Sequence, residues 1–349
     1  MPDIARIDAP APTLPTAPAL PALGTMHLGT RIDERDSFAL LDRFVELGGR
    51  WLDTADNYYF VQDPSGLGGQ SEALIGRWLR ANPGVPVALS TKVGAEPNRP
   101  GGFPDDLEGL APEVVHGALE RSLERLGVES VDLYWAHIED HEEPFEQVVG
   151  TFGSLVADGR AVAWGLSNHP SWRMAEARLL AATAGLPAPS AYQQRHSYLR
   201  PLPGADVEGQ PVALGMLSDD GVDLVRRIPE LSGWVYTPLL RGAYDRADRP
   251  LAPEYRHPGT ERRLEALGAV AESRGLSRGQ VVLAWLTGGA PALVPIIGGS
   301  QLEQLEHAWT GATTVLTAEE RQHLDAAAQG FRSAQPGSVN ETGVPAARA

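Results

Sequence analysis

The chain comprises 349 residues, of which 42% are hydrophobic and 21% are charged, and its formal net charge is −16. This balance is typical of a globular protein, and the negative net charge argues against nucleic acid or anionic membranes as partners. The sequence has no cysteine, which excludes disulfides, thiolate catalysis and cysteine-ligated metals and fits a cytoplasmic protein. No run of about 18 apolar residues is present, so we expect no membrane span.

The two ends of the chain differ in composition from the part between them. Residues 1–21 are rich in alanine and proline, and the prolines interrupt any apolar segment of a signal peptide, so we predict a disordered leader. Residues 331–349 are small, polar and aperiodic, which predicts a flexible tail. Residues 22–330 are expected to form one domain.

Between these ends, short apolar segments typical of strands alternate with longer segments of helical periodicity. Strands are predicted at residues 23–29, 50–53, 85–92, 131–137, 161–165, 191–193, 234–237 and 293–297. Helices are predicted at residues 36–47, 71–79, 112–126, 144–157, 171–184, 221–228, 260–274, 277–286 and 317–327, and another begins at residue 302. A glycine- and proline-rich insertion over 201–219 and an irregular loop over 241–258 interrupt this alternation.

Eight strands that alternate with helices predict an α/β fold, a closed (β/α)8 TIM barrel. A doubly wound sheet is the alternative, and it would require a glycine-rich GxGxxG turn after the first strand. Residues 24–29 read GTMHLG, which does not match that pattern. The sequence therefore favours the barrel.

Polar side chains stand at the carboxyl ends of the predicted strands, where the active sites of such barrels lie. Asp53, Lys92 and His137 end the second, third and fourth strands. The later strand ends carry Ser167, Asn168, His169, Gln193, Tyr236, Thr237, Gly298, Gly299 and Ser300. A packed barrel needs no polar groups at these positions, so their presence indicates a functional site.

Lys92 is the only lysine among the 29 lysine and arginine residues of the chain. Alternation along the third strand places Ala88, Ser90 and Lys92 on one face. Because every other strong base is arginine, a retained lysine suggests a compact ammonium with a tunable pKa, which a guanidinium does not supply. A single stray surface lysine is the alternative.

Asp53, Tyr58 and Lys92 together suggest an acid–base group. A free phenol, with a pKa of about 10, is a weak acid at neutral pH, and a nearby ammonium lowers that pKa. Asp53 would hold Lys92 charged and in place, because an unpaired buried ammonium is costly. His137 would orient a substrate carbonyl by donating a hydrogen bond. Such a set suits carbonyl reduction, in which Tyr58 delivers the proton and a cofactor delivers hydride.

Two other interpretations apply to the segment around His137. This histidine is equally well explained as a satisfied side chain at a strand end. His137 and His141, with Glu139 and Asp140 between them, also offer possible metal ligands. They lie on a loop without a fixed helical face, so we predict no metal and expect the acidic side chains to form a solvated rim.

Five segments, in order, resemble the aldo-keto reductase family. Residues 53–58 read DTADNY and residues 69–76 read GQSEALIG, which resembles the first signature of that family. Residues 90–92 (STK), 131–137 (VDLYWAH) and 159–168 (GRAVAWGLSN) resemble its next landmarks. The resemblance covers residues 23–327, and five motifs in one order with fitting gaps are highly specific.

The resemblance implies a (β/α)8 barrel that uses a nicotinamide cofactor, usually NADPH, without metal. The catalytic tetrad of the family falls on Asp53, Tyr58, Lys92 and His137. The implied cofactor-binding residues are Gly24, Thr25 and Met26 along the floor beside the nicotinamide ring, Ser167, Asn168 and Gln193 at its carboxamide, Tyr236 stacked on the ring, Thr237, Leu239 and Arg241 at the pyrophosphate, and Gly298, Gly299, Ser300 and Gln304 at the adenosine end. Asp53 also belongs to the implied set.

Two departures from the family pattern concern the adenosine end. Many relatives place a cation in the segment that matches residues 298–304, where it pairs with the 2′-phosphate, and this segment has none. Ala308 stands where an asparagine often contacts adenine. A 2′-phosphate without a charge-assisted partner is discriminated less well. We therefore expect NADP(H) as the cofactor, with NAD(H) or dual use as the alternative.

The predicted function is the reduction of a small-molecule aldehyde or ketone to the alcohol, with no nucleic acid or membrane as partner. The first alternative is a non-enzymatic, cofactor-binding regulatory subunit of the same fold, similar to the β-subunits of potassium channels, which can keep the tetrad. The second alternative is a metal-dependent barrel hydrolase.

Overall fold

The computed structural model of the chain describes residue 14 and residues 20–207 and 215–328. Most of the predicted leader over 1–21, the predicted tail over 331–349 and the middle of the insertion over 201–219 lie outside the described residues. Within these ranges, no helix is both long enough and apolar enough to cross a membrane.

The strands of the fold are β1 (Ala22–Gly24), β2 (Trp51–Asp53), β3 (Ala88–Val93), β4 (Val131–Ala136), β5 (Ala161–Ser167), β6 (Ala191–Arg195), β7 (Ser232–Tyr236) and β8 (Val294–Ile297). Each strand pairs in parallel with the next along the chain, and β8 pairs with β1, so the sheet closes into a barrel. This closed order confirms the predicted (β/α)8 barrel and excludes the doubly wound sheet, which is open.

Helices alternate with the strands and surround the barrel. They are α1 (Glu34–Glu46), α2 (Gln70–Ala81), α3 (Pro112–Leu126), α4 (Phe145–Ala157), α5 (Ser171–Ala184), α6 (Asp219–Arg227), α7 (Pro258–Arg274), α8 (Arg278–Thr287), α9 (Leu302–Thr313) and α10 (Ala318–Ala328). The loop predicted as irregular over 241–258 contains two single turns of 3-10 helix, Leu240–Gly242 and Pro253–Tyr255.

The bounds of α3 agree with the prediction because residues at both ends favour a helix terminus. Pro112 lies in the first turn, and Gly127 ends the helix with a φ of 73°, a conformation that favours glycine. The prediction for the first strand, over 23–29, is wrong beyond Gly24. The chain turns there, since the amide of Leu28 donates to the carbonyl oxygen of Thr25 at 2.9 Å.

The interior of the barrel contains an apolar layer beneath a polar one. Trp51 and Trp135 both contact Trp234 edge-on in the apolar layer, with ring centroids 5.4 and 5.7 Å away. Ala88 belongs to the same layer, and alternation along β3 places Lys92 above it, toward the carboxyl end of the strand. The three indole rings are therefore the floor of the candidate site.

Gly76 on α2 permits the close contact between α2 and α3. A Cβ at this position would lie 2.0 Å from the backbone carbonyl oxygen of Arg125, much closer than van der Waals contact. We expect Gly76→Ala to lower the free energy of unfolding by about 1–3 kcal/mol or more, because backbone must move to accept the methyl group. Urea unfolding followed by circular dichroism measures this loss.

Gly150 on α4 offers a matched control for that substitution. A Cβ at Gly150 would meet no atom of the described residues within 4 Å. Alanine is also the better helix former, so Gly150→Ala is expected to be neutral or stabilising. Equal losses in the two variants would contradict the packing explanation.

Candidate active site

Lys92 lies at the centre of the polar layer, near the carboxyl end of β3. Its Nζ atom donates to Asp53 Oδ2 at 2.7 Å, to the carbonyl oxygen of Thr54 at 2.6 Å and to Tyr58 Oη at 3.3 Å. Lys92 is 0% exposed and Asp53 is 2% exposed. The end of β2 and its following loop thus supply three acceptors to one buried ammonium. The structure brings together the three residues that the sequence grouped.

Asp53 is held from both of its carboxylate oxygens. In addition to the bond from Lys92 to Oδ2, Oδ1 accepts from Ser90 Oγ at 2.7 Å and from Gln193 Nε2 at 3.3 Å. Several donors stabilise the ionised form of a buried carboxylate. Asp53 is therefore a fixed counter-ion for Lys92. Ser90, which the sequence placed on the same strand face without a role, contributes to that fixation.

Burial and charge act in opposite directions on the pKa values of Lys92 and Tyr58. Burial lowers the pKa of Lys92, but Asp53 and Tyr58 raise it, and the net pKa lies above the ordinary value. For Tyr58, burial raises the pKa more than Lys92 lowers it, so the net pKa of the phenol is also raised. Lys92 lowers the pKa of Tyr58, as the sequence predicted, but the effect of burial on this pKa is larger. Tyr58 therefore holds its proton at neutral pH.

His137 follows β4 and faces the same rim of the barrel. Its ring lies edge-on to that of Tyr58, with centroids 6.0 Å apart, and its carbonyl oxygen accepts from Asn168 Nδ2 at 3.0 Å. Burial, and then the positive charge of Lys92, hold the pKa of His137 well below its ordinary value. Its Nδ1 atom is buried and has no hydrogen-bond partner in the part of the chain that the structure describes. A neutral imidazole at this position carries one N–H donor.

A hydroxyl cluster that sequence reasoning missed joins the ends of the first two strands. Ser71 Oγ, at the start of α2, lies 2.9 Å from Thr25 Oγ1, and Thr54 Oγ1 donates to Ser71 Oγ at 3.0 Å. The hydroxyl and the amide of Thr25 also donate to the carbonyl oxygen of Asp53, at 3.0 and 3.1 Å. The cluster fixes the backbone around Asp53. Small hydroxyl residues next to a predicted site are the only sequence feature that indicates it.

The residues predicted for the nicotinamide end lie together on three neighbouring strands. Asn168 Nδ2 donates to Ser167 Oγ at 3.2 Å, and Asn168 Oδ1 accepts from Tyr236 Oη at 2.6 Å. The amide of Asn168 donates to the carbonyl oxygen of Gln193 at 3.2 Å. Asn168 has a φ of 58°, a left-handed conformation that is more accessible to asparagine than to most residues. Gln193 also donates from Nε2 to Asp53 Oδ1, which links these residues to the Lys92–Asp53 pair.

The segment predicted for the pyrophosphate follows β7 and is unusual in its backbone. Thr237, Leu240 and Arg241 have φ values of 54°, 48° and 58°. Such left-handed conformations cost free energy in residues with a side chain and are frequent in ligand-binding loops. Leu239 is half-buried and Arg241 is exposed. A cavity of about 290 Å³ adjoins this segment, and its lining includes Arg195, Arg241 and Arg249.

The predicted adenosine end lies between β8 and α9. Ser300 donates from its amide to Gln304 Oε1 at 2.9 Å, and a Cβ at Gly298 would lie 3.7 Å from the carbonyl oxygen of Gly24. Gln301, the N-cap residue of α9, provides no side-chain cap. Ala308 is buried in the hydrophobic core. Met26, on the loop after β1, is half-buried.

The acidic residues near His137 are engaged with protein groups. Glu139 Oε1 accepts from Arg173 Nε at 2.6 Å, and the Glu139 side chain is 4% exposed, so the expectation of a solvated carboxylate is wrong here. Asp140 accepts from the amides of Leu110 and Glu142 at 2.7 and 2.9 Å. Over the ranges described above, no group of three or more His, Asp or Glu side chains is arranged to hold a metal ion.

Comparison with known proteins gives one consistent result. The chain is 27% identical to an aryl-alcohol dehydrogenase of Pestalotiopsis microspora over 92% of its own length and 81% of that protein. It is 30% identical to a norsolorinic acid reductase of Emericella nidulans over 85% of its length and 75% of that protein. A human aflatoxin B1 aldehyde reductase is 36% identical over 49% of this chain and 44% of its own length.

A sequence model of the Aldo/keto reductase family matches residues 22–329, which is nearly the whole of the described barrel. The match includes the segments around Asp53, Lys92, His137 and Asn168, which the barrel brings together. The chain belongs to the aldo/keto reductase family.

Proposed function

We propose that the protein is a nicotinamide-dependent oxidoreductase that reduces an aldehyde or ketone to the alcohol. One observation carries the proposal: the hydroxyl of Tyr58 lies 3.3 Å from a buried ammonium, Lys92 Nζ, which is itself bonded to Asp53 at 2.7 Å. In this arrangement the phenol is the proton donor, the ammonium stabilises the phenolate that remains, and the carboxylate holds the ammonium in place. Family membership and the names of the relatives, which include dehydrogenases and reductases, support the same reaction class.

In the proposed reaction, Tyr58 holds a proton at Oη and transfers it to the carbonyl oxygen as negative charge develops there. Lys92 stabilises the resulting phenolate, and Asp53 keeps Lys92 in position. His137, as a neutral imidazole, donates an N–H to the carbonyl oxygen and orients it. A bound nicotinamide cofactor supplies the hydride.

The donor groups at the strand ends fit a nicotinamide dinucleotide. The side-chain amides of Asn168 and Gln193 each carry donor and acceptor atoms, which suits a carboxamide once it replaces their contacts with neighbouring side chains. The uncapped start of α9, preceded by two glycines, suits an anionic phosphate. We assign to the cofactor the residues Gly24, Thr25, Met26, Ser167, Asn168, Gln193, Tyr236, Thr237, Leu239, Arg241, Gly298, Gly299, Ser300 and Gln304, with Asp53 beneath them.

NADP(H) is the proposed cofactor, although residues 298–304 contain no cation. The cavity beside the loop after β7 is lined by Arg195, Arg241 and Arg249 and by two acids, Asp248 and Glu254, which leaves an excess of one positive charge there. Fluorescence titration with NADPH and NADH compares the two cofactors directly. A clear preference for NADH would overturn this choice without affecting the reaction class.

For the substrate we propose an apolar, aromatic carbonyl compound. Tyr59 and Phe60 follow Tyr58 directly, and the ring of Phe60 lies 5.3 Å from that of Phe103, on the loop after β3. Phe103 is 38% exposed, so an apolar ring can bind there. The relative named as an aryl-alcohol dehydrogenase supports an aromatic substrate.

The test of the proposed function is NADPH oxidation, followed by absorbance, with a panel of aromatic and aliphatic aldehydes and ketones. We expect oxidation that depends on the added carbonyl compound, is fastest with aromatic members and is insensitive to EDTA. Tight cofactor binding without turnover of any carbonyl compound would contradict the proposal and favour a regulatory subunit. Loss of turnover in EDTA would favour a metal-dependent reaction.

A further inference from the structure

Asp56 is a buried acid that the proposed mechanism does not use. It lies on the loop after β2, two residues before Tyr58, and is 3% exposed. Its amide donates to the carbonyl oxygen of Lys92 at 3.1 Å, which joins this loop to β3. Its two carboxyl oxygens are buried and receive no hydrogen bond from any donor among the residues that the structure describes. An ionised carboxylate is costly in such a site.

A second acid, Glu108, faces Asp56 in this pocket. Glu108 belongs to the loop between β3 and α3 and accepts from the amides of Gly94 and Glu96, at 2.8 and 3.3 Å. Arg121 Nη2 lies 3.7 Å from its other oxygen. These donors reach Glu108, whereas no donor among the described residues reaches Asp56, and this asymmetry distinguishes the two acids.

The remainder of this pocket carries further negative charge. Glu72 on α2 pairs with Arg125 at 3.0 Å, and Glu96 accepts from the amide of Gly68 at 2.7 Å. Burial, and then the charge of Glu108, raises the pKa of Asp56 well above its ordinary value. The titratable groups that face Asp56 or its neighbours are Tyr58, Glu72, Glu96, Glu108, Arg121, Arg125 and Tyr134. The pocket already holds three other acids, Glu72, Glu96 and Glu108, against two guanidinium groups, which disfavours a further anion.

We propose that Asp56 is a positioning residue for Tyr58. The carboxyl group of Asp56 keeps its proton at neutral pH and donates it in a hydrogen bond to Glu108. This bond joins the loop that carries Tyr58 to the loop after β3, the strand that carries Lys92. A neutral Asp56 also spares the phenol a neighbouring negative charge, which would raise the pKa of Tyr58 further. The role rests on the proposed function, in which the position of the Tyr58 hydroxyl governs proton transfer.

Two substitutions of Asp56 separate the hydrogen bond from simple packing. Asparagine can donate to Glu108 from its amide nitrogen, as the protonated acid does, whereas leucine has similar volume and no donor. We expect Asp56→Leu to lower kcat by about tenfold to a hundredfold with unchanged cofactor affinity, as for a misplaced acid. Asp56→Asn is expected to retain most of the wild-type kcat. Wild-type kcat in Asp56→Leu, or equal losses in both variants, would overturn the positioning role.

The proton itself is tested by thermal stability, without an assay of turnover. Aspartic acid has a pKa of about 3.9 in the unfolded chain. If the folded state raises this pKa, the stability that the group contributes is full below the unfolded pKa and is lost as the pH rises through the folded pKa. Asparagine does not titrate, so Asp56→Asn escapes this loss. We expect its Tm to match wild type near pH 4 and to exceed it by roughly 2–4 °C near pH 8. A lower Tm than wild type near pH 8 would show that Asp56 is ionised.

The pH dependence of stability requires a control for Glu96, because burial raises the pKa of this second acid to about 7 and it titrates in the same range. Glu96→Gln keeps an acceptor for the amide of Gly68 and removes this second titration. We expect an infrared carbonyl band of a protonated acid near pH 8 in wild type and in Glu96→Gln, and its absence in Asp56→Asn. A band that persists in Asp56→Asn would overturn the assignment. If the wild-type protein reduces no carbonyl compound, the proposed function fails, while the stability and infrared results still decide where the proton resides.

Discussion

Tyr58→Phe is expected to reduce kcat for carbonyl reduction by about 10²–10⁴-fold, the usual contribution of a positioned general acid. The substitution removes one hydroxyl and leaves the ring, which lies edge-on to His137 at 6.0 Å. Lys92 keeps two closer acceptors, Asp53 at 2.7 Å and the Thr54 carbonyl at 2.6 Å, so we expect little change in stability. Steady-state kinetics and cofactor titration measure these effects, and cofactor affinity is expected to be unchanged.

The matched control for Tyr58→Phe is Tyr198→Phe. Tyr198 is buried, and its hydroxyl donates to the carbonyl oxygen of Leu324 at 2.8 Å, on α10. Its loss costs about 1 kcal/mol of stability and is expected to leave turnover intact. Equal effects of the two substitutions on kcat would contradict the role of Tyr58 as the proton donor.

The pH dependence follows from the same groups. Because burial raises the pKa of Tyr58, the phenol remains protonated through neutral and mildly alkaline pH. Burial and Lys92 lower the pKa of His137, so the imidazole is neutral over the same range. We expect a flat kcat for reduction across neutral pH and a kcat for alcohol oxidation that rises with pH, since oxidation begins from the phenolate. An inflection near neutral pH in the kcat for reduction, present in wild type and absent in Tyr58→Phe, would show that Tyr58 loses its proton there and would contradict the raised pKa.

Lys92→Met is expected to affect both turnover and stability. It leaves the carboxylate of Asp53, which is 2% exposed, without its 2.7 Å partner. Breaking a buried ion pair from one side costs about 3–5 kcal/mol, because the remaining charge is uncompensated. Turnover is expected to fall by a factor of about 10²–10⁴, as for Tyr58→Phe, because no ammonium stabilises the phenolate. Urea unfolding and the NADPH assay measure the two losses separately.

A double variant distinguishes these two consequences. In Lys92→Met combined with Asp53→Asn, neither charge is present, so we expect much of the lost stability to return. Turnover is not expected to return, since the ammonium is still absent. Recovery of turnover in the double variant would contradict the requirement for positive charge beside Tyr58. Full stability in Lys92→Met alone would contradict the importance of the ion pair for folding.

The sequence by itself determined the alternation of strands and helices and the residue types at the strand ends. Such information is local: apolar periodicity predicts each element, and Pro112 and Gly127 define the ends of α3. The single lysine of the chain was also visible without a structure. These features were enough to predict a barrel and to group Asp53, Tyr58 and Lys92.

Only the tertiary structure decided how those groups are balanced. The third acceptor of Lys92 is a backbone carbonyl, that of Thr54, and no residue type indicates it. The net rise in the pKa of Tyr58 depends on burial, which outweighs the nearby ammonium. No described residue donates to the Asp56 carboxyl group, and this depends on the arrangement of loops that are distant in sequence. Strand register, burial and hydrogen-bond partners are properties of non-local packing, and the pattern of residues along the chain does not contain them.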